Sequence, residues 1–369
     1  MDLTAWLVRR TPIRPFVVAT PGGTSTRLAV ERFAREHGWR AASSPAEANL
    51  LVVAGPDAAA LDPFVDRAWD GFPAPRARTH VRHPADAPAA LHTAAASVRD
   101  PAVQRREAEH AAHVQRSSES QHPPSLSSCG AAMPADEHSA HQDHRDEDGH
   151  ETGHGAHHGH DMSGMEMPGG IPMADRGPDR DGLMLDQLHV PLGPALSDWP
   201  AGLIVHAVLQ GDVVQQAEVE LLDLPPLREL PPPLLVHRLD CCARLLSAAG
   251  WSDMAARARR LRDDVTDRPM PELAPRVRRW AAGVRRSRTL RWSLAGVGES
   301  STGDAVTRLH RWLADIVAIV DGDDWEDVTP QPGVDTLADL LVGTELATAR
   351  LVVASLDLDL WAGTAGSDG

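Results

Sequence analysis

The sequence predicts a chain of two unlike halves: an α/β doubly wound small domain, and a mainly α-helical domain led by a β-hairpin, joined by a long disordered His-rich linker. Three observations predict this. Short apolar runs alternate with helix-period segments over residues 12–103. Apolar clusters are missing from 104–182, where Gln, Ser, His, Asp, Glu, Gly and Pro dominate and too little surface can be buried to offset ordering entropy. A hairpin pattern followed by helical apolar stripes occupies 183–361.

The first half opens with "PFVVAT" (Pro15–Thr20), an apolar run that reads as a buried strand, followed by the turn "PGGTS". "TRLAVERFAREHG" carries Leu28, Ala29, Phe33 and Ala34 at helical spacing and stops at Gly38. "NLLVVAG" (Asn49–Gly55) is a second buried strand, and "ALDPFVDRAWDGF" a second helix with Leu61, Val65 and Trp69 on one face. In the other half, "GLIVHAVLQGDVVQQAEVELL" reads as two strands about the turn Gly211-Asp212. "LLVHRLDCCARLLSAAG" puts Leu235, Leu239, Cys242 and Leu246 on one stripe and ends at Gly250. Ser252 is expected to cap "DMAARARRLRDDV". "RVRRWAAGVRRSRTLRWSL", "DAVTRLHRWLADIVAIV" and "TLADLLVGTELATARLVVASL" are expected as further single helices.

Composition narrows the function classes. With a formal charge of −16, a general nucleic-acid binder is excluded, because such a protein needs basic surface to displace counterions. Three cysteines, Cys129, Cys241 and Cys242, are too few for a disulfide scaffold and fit a reducing cytoplasm. No run approaches the roughly 20 apolar residues of a membrane span, and the N-terminal stretch carries no apolar core followed by a small-residue cleavage site. Membrane association is therefore expected only through partners, at the inner face of the cell membrane.

Two further stretches invite a functional reading. Eight histidines, His138, His141, His144, His150, His154, His157, His158 and His160, are followed at once by Met162, Met165 and Met167. Imidazole suits nickel, copper and zinc, and thioethers suit Cu(I), so these residues are the candidate metal ligands; a solvated spacer is the alternative. "TPGGTSTRL" looks like an anion-binding loop at a helix start but lacks the Lys and the spacing of a P-loop.

"SPAEANLLVVAGPDAAALDPFVDRAWDGFPAPRARTHV" (Ser44–Val81) resembles the small iron–sulfur subunit of NADH-quinone oxidoreductase and energy-converting hydrogenases. In that family "SPRQAD" enters a strand ending "VAG", with a helix and "MPEPR" after it; here Ser44-Pro45, Glu47-Ala48, Val52 to Gly55 and Phe72 to Arg76 correspond. "LGPALSDWPAGLIVHAVLQGDVVQQAEV" (Leu192–Val219) resembles the opening hairpin of the large quinone-site subunit of the same complexes, where "GPQHP" leads into "LDGEVV". "HRLDCCARLLSAAG" looks like that subunit's next helix, and "LADLLVGTELATARLVVASLD" like its C-terminal stretch, in a shortened form.

The resemblance implies cofactors whose ligands this chain does not carry. The family's adjacent cysteine pair falls at Gly22 and Gly23, and its next cysteine at Pro84; neither residue type can ligate iron, so the iron–sulfur cluster is expected to be absent. The quinone-binding His of "GPQHP" falls at Leu196, which can donate neither a hydrogen bond nor a proton. The C-terminal metal cysteine of hydrogenases falls at Asp359. The resemblance therefore implies a cofactor-free, non-catalytic subunit docked on integral membrane subunits of an antiporter-like complex. A metal-delivery protein working through His138–Met167, or a quinone oxidoreductase that still turns over, are the other readings. Core packing is expected for Cys241 and Cys242, which sit about 100° apart on their helix with Cys242 on the apolar stripe; a ligand role is the alternative.

Overall fold

The computed structural model describes residues 3–109, 175–178, 182–222, 232–323 and 334–358. The described residues within 1–108 and 175–369 belong to one compact unit, so the two expected halves pack together.

The first segment begins with α1 (Leu3–Arg9) and builds a three-stranded parallel sheet in the order β1 (Pro15–Ala19), β2 (Leu50–Ala54), β3 (Ala77–Val81). Between them run α2 (Thr24–Glu36) and α3 (Asp62–Asp70), and α4 (Ala87–Arg99) follows. A parallel sheet needs cover on both faces, and the side chains of β2 show how this is met. Leu50, Val52 and Ala54 join one apolar cluster with Val30 and Phe33 of α2 and Leu91 of α4. Leu51 points the other way, into a cluster with Phe16, Val18, Val65 and two residues of the second segment, Ile204 and Leu222. The buried stripe of α2 is Thr26, Val30, Phe33 and Ala34; the expected Leu28 is only half buried, because the sheet and α4 meet the neighbouring face.

The second segment carries a four-stranded antiparallel sheet ordered β4 (Asp175–Pro178), β5 (Met184–Leu192), β6 (Leu203–Gln210), β7 (Val213–Leu221). The expected hairpin is β6–β7, and Gly211 at φ +62° makes its turn. The expectation of a linker without structure from 104 to 182 is corrected at both ends. Residues 101–109 form a helix, α5, and β4 pairs with β5 through backbone hydrogen bonds that do not depend on apolar side chains. Residues 110–174 lie outside the described residues.

Helices α6 (Leu234–Ala248), α7 (Ser252–Asp267), α8 (Met270–Arg286), α9 (Arg288–Leu294) and α10 (Ala305–Asp321) enclose the largest apolar cluster, with Trp312 fully buried within it. Two expected single helices are broken. Ser287 ends one: its hydroxyl accepts from Leu290 N at 3.2 Å and starts α9 afresh. The C-terminal pattern divides into α11 (Leu337–Leu341) and α12 (Leu346–Ser355). The break at Gly343, φ +80°, lets Gly343 N reach Val214 O at 2.8 Å and Thr344 O accept from Val214 N at 2.9 Å, so the chain docks on β7 instead of continuing the helix. Ser252 is the first residue of α7 and makes no side-chain cap.

Candidate functional site

A cavity of about 50 Å³ lies where the two segments meet. Its walls come from the loop after β1 (Pro21, Gly22, Thr24), the loop before β6 (Trp199, Pro200), helix α6 (His237, Asp240, Arg244) and the chain just past α12 (Asp357). Each wall has a local cause. Thr20 N bonds Ala54 O at 2.9 Å and Gly23 N bonds Thr20 O at 2.8 Å, folding the β1–α2 loop over the end of β2. The loop before β6 is held by Trp199, whose indole donates to Leu203 O at 2.8 Å. Gly193, at φ +87°, leaves room for that indole: a Cβ there would stand 2.3 Å from Trp199 Nε1.

Charged side chains join the segments beneath the cavity. Arg27 on α2 reaches Asp240 on α6 at 2.5 Å and Glu31 at 2.6 Å. Arg262 on α7, itself buried, contacts Asp240 closely and Glu31 at 3.0 Å, while Arg35 holds Asp263 at 2.7 Å. Burial would push both acids up. Arg27 and Arg262 more than reverse this, so Glu31 and Asp240 sit well below the usual carboxylate range.

Three groups of different chemistry converge beside the cavity, His237 and Asp357 in its wall and Cys241 buried next to them. His237 and Cys241 lie one turn apart on the same face of α6. His237 Nε2 is 2.8 Å from Asp357 Oδ1, Cys241 Sγ is 3.6 Å from His237 Nε2, and Cys241 Sγ is 3.4 Å from Asp357 Oδ1. Arg238 pairs with the other carboxylate oxygen, Oδ2, and Arg244 Nη2 donates to Cys241 Sγ at 3.4 Å. Burial works against charge on His237, but Cys241 and Asp357 outweigh it and push its pKa up to about 11. Burial likewise raises Asp357, and His237, Arg238 and Arg244 bring it down to about 2. Both neighbours meet the same ring nitrogen of His237. A nucleophile–base–acid relay needs them on opposite nitrogens, so the arrangement is not a catalytic triad. Together the three can hold a metal ion, their donor atoms lying within 4.8 Å of one another.

The positions singled out in the sequence fall as follows. Gly22, at φ +78°, lines the cavity. A Cβ on Gly23 would meet Ala54 O at 2.2 Å and Gly55 Cα at 2.8 Å, so the backbone is closed against β2 there. Pro84 opens a 3₁₀ turn, Pro84–Asp86, that packs on α2. Leu196 is exposed and is not among the residues lining the cavity. His138, His141, His144, His150, His154, His157, His158, His160, Met162, Met165, Met167, Cys129 and Asp359 lie outside the described residues. Cys242 packs in the helical core, as expected from its stripe. Cys241 is also buried, but its sulfur turns to His237 and Asp357, partners that the sequence reading did not identify. The His-x-x-x-Cys spacing was a usable signal; Asp357, 116 positions further on, was not.

No protein-family model, curated protein or solved structure matches this chain. Among the described residues, no helix is long and apolar enough to cross a membrane.

Proposed function

We propose that this chain is a non-catalytic docking subunit, a fused and shortened relative of the small and large subunits of NADH-quinone oxidoreductase and energy-converting hydrogenase. It sits on integral membrane subunits of an antiporter-like complex, at the cytoplasmic face, and the α/β segment descends from a doubly wound domain. One observation carries the reading: at Gly23, the second of the two positions where the family has adjacent cysteines, no side chain fits, while Gly22 lines the cavity. Gly23 lies so near Ala54 O that no side chain fits, and Gly55 lies so near Thr20 and Gly23 that the same holds from the other side. An iron–sulfur cluster is held by cysteine thiolates, which need a side chain at each ligand position. Leu196 in place of a proton-donating residue supports the same reading for quinone. The ion pairs from Arg27 to Asp240 and from Arg262 to Glu31 hold the two subunit-like segments together.

Affinity purification of the full chain from native membranes tests this. Multi-span membrane proteins are expected to co-purify, and anaerobically reduced protein is expected to give no iron–sulfur resonance. A soluble monomer at every salt concentration, or iron and sulfide in stoichiometric amounts, would overturn it. Deleting 138–167 separates this reading from metal delivery: assembly survives in the first case, and function is lost with the metal in the second.

A further inference from the structure

We infer that His237, Cys241 and Asp357 form a binding site for one zinc-class divalent cation, which fastens the chain after α12 to helix α6. The site goes beyond the docking role and stands on geometry independent of it.

Three facts support it. The donor set is one imidazole, one sulfur and one carboxylate, the mixture that borderline-soft Zn(II) accepts. Tetrahedral ligands with metal bonds of about 2.0–2.3 Å stand roughly 3.3–3.6 Å apart. The two sulfur separations, 3.6 Å to His237 and 3.4 Å to Asp357, already match that spacing. The nitrogen–oxygen separation of 2.8 Å must open by about 0.5 Å to admit the ion. That is a small rotation of a carboxylate at the end of its element.

The surroundings are those of a supported metal ligand. Asp357 turns Oδ1 to Cys241 and His237, and its Oδ2 accepts from Arg238 while standing 3.0 Å from His237 Nε2; Arg238 is in turn held by Asp315 at 3.2 Å. A carboxylate anchored by its second oxygen is oriented for the ion by its first. Cys241 is sealed in the core, whereas His237 and Asp357 also line the cavity. The ion therefore has three protein ligands and an approach from the cavity side, where water supplies the fourth.

Cobalt(II) alone is the probe, added to the full chain carrying Cys129→Ser, since Cys129 lies near the histidine-rich stretch and is a second thiol that could answer. One equivalent is expected to give visible bands of tetrahedral intensity and a near-ultraviolet thiolate-to-cobalt absorption. That absorption should persist when 138–167 are deleted and should vanish in Cys241→Ser. Asp357→Asn should weaken cobalt binding at least tenfold. Absence of the near-ultraviolet band, its survival in Cys241→Ser, or its loss on deleting 138–167 would each overturn the assignment. Should Cys241→Ser fail to fold, His237→Gln carries the same test: at least tenfold weaker binding supports the site, and unchanged binding overturns it. None of these readouts depends on membrane partners, so the site and the docking role can fail separately.

Discussion

Gly23 is the residue at which the smallest change has the clearest expected effect. Its missing Cβ would lie 2.2 Å from a backbone oxygen that is itself bonded to Thr20, so neither atom can move away cheaply. Gly23→Ala is expected to cost ~2 kcal/mol or more, the range of overpacked sites, read as a fall in the thermal midpoint. Gly38→Ala is a useful contrast: it has open space and bears only the strain of a positive φ. Glu31 sets the response to acid. Its pKa in the folded chain lies below the unfolded value of about 4.3. Its contribution to stability is therefore complete above that value and is lost as pH falls through the folded one. The thermal midpoint is expected to drop below about pH 4, and to drop less steeply in Glu31→Gln. An equal slope in the two proteins would contradict the ion-pair assignment.

Helices here are held by a few directional contacts at their ends and by buried charge at their crossings. Asp304 caps α10, accepting from Thr307 N at 2.9 Å, and its other oxygen accepts from Gly296 N at 2.9 Å. Asp304→Ala should destabilise by ~1 kcal/mol and Asp304→Ser by less, measured by urea unfolding. At the crossing of α2, α6 and α7, Arg262 touches Asp240, Glu31 and Asp263. Removing that guanidinium leaves buried carboxylates short of partners. Arg262→Met is expected to cost ~3 kcal/mol, well above the value for an exposed pair such as Arg78–Asp66. The strand runs, the β6–β7 turn and the stripe of α6 were all legible, because each depends on residues a few positions apart. The breaks at Ser287 and Gly343 were not. Both segments have continuous helical patterns, and what stops the second is a backbone contact with Val214.

Across the molecule, the two segments share a core and a charge network, so neither is expected to be stable alone. Residues 1–108 with 175–369 should unfold in one transition, with tryptophan fluorescence and far-ultraviolet circular dichroism coincident. A fragment of 175–369 would expose Ile204 and Leu222 and leave Asp240 without Arg27; it is expected to bind a hydrophobic dye or precipitate. Two separate transitions in the full chain would show that the segments are independent. By itself the sequence determined the local elements, since the apolar period and turn residues that set them lie within a few positions of one another. Only the tertiary structure decided that Gly23 is closed against β2, that α2 is tied to α6 by buried ion pairs, and that Asp357 meets His237 and Cys241. Those outcomes join residues more than 30 to more than 200 positions apart. No periodicity records such separations; they arise only when packed apolar faces bring the elements together.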